Sequence, residues 1–598
     1  MKGFFGVLLR VNLTDQSYHS EEIPDEVLKT YFGGKGLGTY LMLKLIPAGV
    51  DPLGEENRLI FTTGSATDTK IPASSRYGVF SKSPLTQFYG ESYSGGTVAP
   101  QLSRTGFDAI VFEGASRSPV WAEISSNKVV FHPASHLWGK DTYFTQDTVL
   151  KEAGDPRAQV VVIGPAGERL VRFACIQNNY WRSAGRCGMG TVMGSKKLKA
   201  VVFYGDKKRE FAHENLLNQY IKDLRNRGKD DPGVAAYRRL GTPQMVAATN
   251  RAGVFPTRYW SKGTYDDWEK ISGEALLENL EVKPHACTHC FIACGRLSRV
   301  LKGRHKGLLI EGPDFETIYA FGGLCLIDSL EEIAYLNDLC DRLGMDTITT
   351  GNLVGFTMEA SERGAIDFKL SYGDAQGAAE LVQAIARKDG FGAILAEGIK
   401  SASVKLELED LAIHVKGLEP AAYDPRVLKG MALAYGTSDR GACHLRATIY
   451  KPELSGMADP SAVEGKAELL IDYEDRHTLF DTLVLCRFFR DLIPWEDIST
   501  IYEVTTGLKF SKEDLKGICS RIMDATRKFN LREGLTRKDD DLPPRFYTEP
   551  IGDGKVIKRD EYQVMLSQYY QLRGWDEKGI PPQERPFGHE QTQSEAAM

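Results

Sequence analysis

Residues 183–203 read SAGRCGMGTVMGSKKLKAVVF, and the two halves of this stretch set the fold class. The glycine-rich half bares backbone N–H groups among Arg182, Arg186, Lys196 and Lys197, a composition that can cradle an anion. The second half, Lys199–Tyr204, is a short β-branched run that predicts a strand. Working back, similar runs at Ala109–Gly114, Val129–Phe131 and Gln159–Gly164, and a strand–turn–strand reading of MKGFFGVLLRVNLTDQS, predict a β-rich region over residues 1–208. Working forward, the charged stretch Asp206–Glu210 ends the strands, and helical periodicity takes over at Glu214–Arg227 and Leu330–Leu343 and dominates to the end. The fold class is α+β: a β-rich N-terminal domain (1–208) followed by two mainly α-helical domains. Their boundary is placed at the two prolines of GLEPAAYDP (417–425), giving 209–418 and 419–598. Asp539–Gly554 reads as a surface loop, Arg559–Arg573 as a last helix and Phe587–Met598 as a frayed tail.

Charge excludes some functions. Lys and Arg number 74 against 80 Asp and Glu, a net charge of -6, which gives no electrostatic reason to expect nucleic acid or an anionic membrane surface. No apolar run approaches the roughly 18 residues of a membrane span, and the start is a poor signal peptide, so a cytoplasmic protein is expected. Ten cysteines in 598 residues are too sparse for a disulfide scaffold. Three of them are clustered, which points to metal or redox work.

That cluster is KPHACTHCFIACGR (283–296), where Cys287, Cys290 and Cys294 have the spacing C-x2-C-x3-C. Three thiolates so close can wrap one metal centre. A zinc site would add His285 or His289; an iron–sulfur cluster needs a fourth thiolate, commonly distant, for which Cys486 in DTLVLC is favoured. Two further glycine stretches, YFGGKGLG (31–38) and the pair SSRYG and ESYSGG (74–96), fit neither a Walker loop nor a dinucleotide fingerprint. Three such stretches, each carrying Arg or Lys, point to a phosphate-bearing cofactor lying on a sheet.

Taken together, AGRCGMGTVMGSKKLKAVV, the triplet with distal DTLVLC, EGPDFETIYAFGGLC (311–325), DRLGMDTITTG (341–351) and YDPRVLKGMALAYGTSDRGACHLRA (423–447) resemble the tungsten-dependent aldehyde ferredoxin oxidoreductase family across essentially the whole chain. The resemblance implies a β-rich saddle for a tungsten bis-molybdopterin (tungstopterin), a [4Fe-4S] cluster and a bridging Mg2+, closed over by two helical domains. It implies Cys287, Cys290, Cys294 and Cys486 as cluster ligands, with Asp341, Met345 and Asp346 in one pterin motif and Asp481, Leu485 and Arg446 toward the other. Arg76 would lie between cluster and pterin phosphate, and Tyr93, Ser94, Gly95, Arg182, Ser183, Gly185 and Arg186 would hold the phosphates and Mg2+. Glu316 and His444 match the acid–base pair of an enzyme that oxidises a small aldehyde to a carboxylic acid, reversibly, and passes electrons to ferredoxin or an iron–sulfur partner subunit.

Departures qualify the match. Tyr93 stands where Asn is frequent and Val484 where Gly is usual; no His occurs between His305 and His414, so an iron-bridged dimer is not expected. A reductase of the benzoyl-CoA type, of the same family, is one alternative, but its metal-bound Cys falls where this chain has Glu316. A zinc-stabilised binding protein is another. The basic run Lys302, Arg304, His305 and Lys306 is a candidate dock for an acidic ferredoxin.

Overall fold

A computed structural model describes residues 1–583; the tail Phe587–Met598 lies outside the described residues. The first 203 residues build two six-stranded sheets. The first uses β1 (Val7–Asn12), β2 (Ser17–Glu22), β3 (Leu59–Thr62), β4 (Tyr77–Lys82), β5 (Tyr89–Ser94) and β6 (Ala109–Glu113), in the order β2-β1-β6-β3-β4-β5. The second uses β7 (Val120–Ile124), β8 (Val129–Pro133), β9 (Gln159–Val162), β10 (Ile176–Asn178), β11 (Arg182–Ala184) and β12 (Leu198–Phe203), in the order β11-β10-β9-β12-β7-β8. Only β1·β6 and β7·β12 pair in parallel.

Side chains alternate between faces, as the period of two requires. In β1, Leu9 and Val11 join a core shared with Val201 and Phe203 of β12, while Leu8 faces the opposite way, into a core shared with the helices. Each such fully buried Leu, Val or Phe contributes about 1.5–3 kcal/mol. Because the helices cover the other face of the first sheet, β3 and β4 are buried on both sides, and β3 carries the consecutive apolar residues Leu59, Ile60 and Phe61.

Helices follow from Glu214–Lys229 onward, and the expected helix Leu330–Leu343 is present with those bounds. Within these mainly helical domains lies a small third sheet, β13 (Leu280–His285), β14 (Gly295–Val300) and β15 (Leu309–Glu311). Its exposed Glu281, Lys283 and Arg299 break any apolar period, so the strands leave little trace in the sequence. The segment 417–425, read as a boundary, is buried throughout and runs through the interior. Among the described residues no helix is long and apolar enough to cross a membrane.

Two chain reversals prepare the site. In DRLGMD the helix Leu330–Leu343 stops at Gly344, in the left-handed conformation with φ 76°, and Asp346 caps the next helix, Thr347–Glu362, by accepting from Ile348 N. Both carboxylates therefore sit at one helix–helix junction. In DTLVLC the helix Lys466–Leu483 ends at Val484 with φ 57°. That conformation favours glycine, so Val484 holds a β-branched side chain in the left-handed region. Gly34, with φ 45°, begins the helix Gly34–Leu45 so close to this turn that a Cβ would lie 2.0 Å from Asp481 O.

Candidate active site

The Cys triplet occupies the connection between β13 and β14, closed at its base by the pair His285↔Gly295. Cys287, Cys290 and Cys294 line a cavity of about 170 Å³ together with Cys486, 192 positions beyond Cys294 in the sequence. Gly96 N donates to Cys287 Sγ (3.3 Å), and a Cβ on Gly95 would come within 3.0 Å of that sulfur, so the glycine gives β5 its close approach. The two histidines weighed as zinc ligands lie elsewhere. His285 Nδ1 is 3.1 Å from Glu311 Oε2, and His289 is exposed. Burial opposes the charge on Arg76, but the thiols of Cys486, Cys287 and Cys294 raise its pKa overall.

Arg76, Arg182 and Cys486 also border a second cavity, of about 350 Å³. Tyr93, Gly95, Ser183, Gly185 and Arg186 line it from the sheets, and Asp341, Met345 and Asp346 from the helix junction. Arg446, Glu316 and His444 close it. Three of the expected residues, Ser94, Leu485 and Asp481, are not among its lining. Ser94 turns to Asn178 Oδ1 (2.6 Å), and Leu485 packs in the core. Asp481 stands behind the wall, bonded to Arg446 (2.9 Å) and Arg487. Nor do Lys196 and Lys197 cradle an anion: Lys196 Nζ donates to Asn57 O (2.7 Å) and Gly114 O (3.0 Å), and Lys197 Nζ to Arg117 O (2.7 Å).

The motif carboxylates are held by neighbours. Asp341 accepts from Asn337 Nδ2 (2.7 Å) and Gln177 Nε2 (3.2 Å), and burial, with Asp338 nearby, pushes its pKa well above the usual carboxylate range. Asp346 Oδ2 accepts from Arg186 Nε (3.1 Å) and Thr349 Oγ1 (2.9 Å). Burial also pushes Glu419, beside Arg186, up to about 7.

Glu316 and His444 meet across the cavity, His444 Nε2 lying 3.5 Å from Glu316 Oε1. Ala422 N donates to Glu316 Oε2 (3.1 Å), which fixes the carboxyl and leaves Oε1 without a hydrogen-bond partner. Burial pushes Glu316 up to about 8. Burial, reinforced by Arg186 and Arg440, drives His444 well below its ordinary value, so the imidazole is neutral at pH 7. Its Nδ1 is likewise unpartnered. A carboxyl that holds its proton near neutrality, facing a neutral imidazole, is a constellation able to exchange one proton.

Sequence reasoning missed the ionic layer beneath the site. Lys35, from the first glycine stretch, bonds Glu91 (2.9 Å) and Asp439; Glu91 in turn pairs with Arg446. Tyr93 donates to Glu91 Oε2 (2.7 Å) and lies beneath the guanidinium groups of Arg446 and Arg487. Lys35→Met strips Glu91 and Asp439 of this buried cation and is expected to cost about 3–5 kcal/mol, read as a fall in thermal midpoint. A midpoint unchanged from the parent would remove Lys35 from the framework of the site. The candidate docking loop is also less free than its sequence implies, because Arg304 and His305 are tied to Glu332.

The donor set fits metal cofactors. Four thiols face one small cavity, and around the larger one Arg440 Nε, Arg446 Nη2 and Arg487 Nε are buried without partners, as an anionic group would require. Comparison with known proteins agrees. Residues 8–205 match the family description "Aldehyde ferredoxin oxidoreductase, N-terminal domain", and residues 219–586 match "Aldehyde ferredoxin oxidoreductase, domains 2 & 3". The chain is 37% identical, over 98% of both sequences, to the tungsten-containing aldehyde ferredoxin oxidoreductase of Pyrococcus furiosus. It is 31% identical to the aliphatic sulfonate oxidoreductase, WOR-like subunit, of the same organism, over 98% of this chain and 96% of that one. Its fold matches the active-site complex BamBC of benzoyl coenzyme A reductase with a TM-score of 0.84 at 24% identity, over 97% of this chain and 96% of the other. The chain is an oxidoreductase and belongs to the aldehyde ferredoxin oxidoreductase family.

Proposed function

We propose that the protein oxidises aldehydes to carboxylic acids, RCHO + H2O → RCOOH + 2 e⁻ + 2 H⁺, and runs the reverse reaction when its acceptor pool is sufficiently reduced. The observation that carries this reading is the Glu316–His444 pair, whose facing atoms, Glu316 Oε1 and His444 Nε2, lie 3.5 Å apart on the wall of the larger cavity. When bound, a tungsten pterin supplies the two-electron centre and a [4Fe-4S] cluster the one-electron route outward. Cys287, Cys290, Cys294 and Cys486 would hold the cluster. Asp341, Asp346 and Arg446, with Asp481 behind them, would hold the pterins; Arg76, Arg182 and Arg186 would meet their phosphates, and backbone at Tyr93, Arg182 and Ser183 would hold Mg2+.

Within that frame the chain's own residues perform the proton chemistry. Neutral His444 donates a hydrogen bond to the substrate carbonyl oxygen, and Glu316, once ionised, accepts a proton from the attacking water. A carboxylate at 316, in place of a thiol, supports aldehyde oxidation over acyl-CoA reduction. The electrons leave singly to a ferredoxin or an iron–sulfur subunit. Anaerobically purified protein should contain tungsten and about four iron atoms per chain, and should reduce a viologen dye in the presence of an aldehyde. Zinc without iron, and no aldehyde-dependent reduction, would overturn the proposal.

A further inference from the structure

Beyond Glu316 and His444 the cavity wall is aromatic. Tyr423 stacks on Tyr450 with ring centroids 3.8 Å apart and 15° between planes, and Phe315 tilts against Tyr423 at 5.8 Å. The two tyrosine rings lie 5.8 and 6.4 Å from the His444 imidazole. Tyr237 meets Phe488 at 4.8 Å, and both also line the cavity. Exposure rises along this surface, from 2% for Phe315 and Tyr423 through 7% for Tyr450 to the half-buried Tyr237 and Phe488. The wall thus runs from the cavity mouth inward to the acid–base pair.

The inner wall is fixed to the same backbone as the catalytic carboxyl. Tyr435 Oη donates to Ala421 O (3.0 Å) and Tyr423 O (3.2 Å), Tyr319 Oη donates to Pro420 O (3.0 Å), and Ala422 N between them bonds Glu316. A rigid ring pressed on such a surface gains offset or edge-to-face contact beyond its apolar burial, and it surrenders little internal freedom on binding. A saturated chain of equal volume gains the burial alone.

We propose that the substrate is an aryl aldehyde, its ring held against Phe315, Tyr423 and Tyr450 while its carbonyl faces His444 and Glu316. This deepens the aldehyde-oxidising reading and rests on it. The test compares benzaldehyde with cyclohexanecarbaldehyde, close in size and reacting group but without π electrons, on the holoenzyme. We expect kcat/KM to favour benzaldehyde by about 10-fold, and Tyr423→Leu to bring that ratio close to one. Phe315→Leu serves as the second variant should Tyr423→Leu fail to fold. Calorimetry supplies a readout independent of turnover: benzoate should bind more tightly than cyclohexanecarboxylate to the parent enzyme, and the preference should shrink in the variant. A ratio of one in the parent, or a preference untouched by both substitutions, overturns the aryl proposal. Failure of the aldehyde reading looks different: neither aldehyde is oxidised although tungsten and iron are complete, while the benzoate preference persists.

Discussion

Glu316→Gln should lower aldehyde oxidation by about 10²- to 10⁴-fold while tungsten and iron contents stay at parental levels. The substitution is nearly isosteric. The glutamine can retain the bond from Ala422 N through its amide oxygen, so the loop at 420–423 keeps its place and the cavity its shape. What is lost is a group that can take up a proton. Burial pushes the Glu316 carboxyl up to about 8, so its ionised fraction, and with it kcat/KM, should climb about tenfold per pH unit below that value and level off above it. His444, held neutral by burial and the surrounding guanidinium groups, contributes no second limb near neutrality. Glu316→Gln should therefore remove the acid limb from the residual rate as well as lower that rate. Near-normal turnover at full metal content, or a residual rate with the same pH profile, would show that another group accepts the proton and would reopen the acyl-CoA alternative.

Much of this arrangement is legible in the sequence wherever the signal is local. The β-branched runs at 109–114 and 159–164 appear as β6 and β9, and the helical period at 330–343 as a helix with those bounds. The C-x2-C-x3-C spacing marks a single turn because its residues are neighbours in the chain. Illegible parts depend on distance. Lys35 meets Asp439 across 404 residues, and neither lies in a segment that reads as ionic. Tyr423 and Tyr450 carry no local mark of the stack that the fold builds beside His444. Lys196 and Lys197 carry the opposite lesson, since cations next to glycines resemble an anion cradle, yet backbone carbonyls nearby consume them. The prolines of GLEPAAYDP signal an interruption of helix; only the fold reveals that the interruption carries a wall of the site.

The second large effect concerns Cys486. Cys486→Ala should lose the iron–sulfur absorption and paramagnetic signals and, with them, aldehyde-driven reduction of ferredoxin. The triplet arrives on one hairpin turn, whereas Cys486 arrives on a separate segment, just after the helix Lys466–Leu483. Among the described residues its thiol is the only cysteine sulfur outside the triplet lining the smaller cavity. Neither histidine near the triplet lines that cavity: His285 faces Glu311, and His289 is exposed. The change should leave the fold intact: the backbone bond from Cys486 N to Ala73 O (2.9 Å) needs no side chain, and Arg487 keeps its bond to Asp481. Cys486→Ser, which restores an oxygen donor, should recover part of the iron but with an altered spectrum. An alanine variant with its full iron complement and unchanged signals would show that the fourth ligand lies elsewhere. If iron is lost but ferredoxin is reduced at the parental rate, electrons do not leave through this cavity.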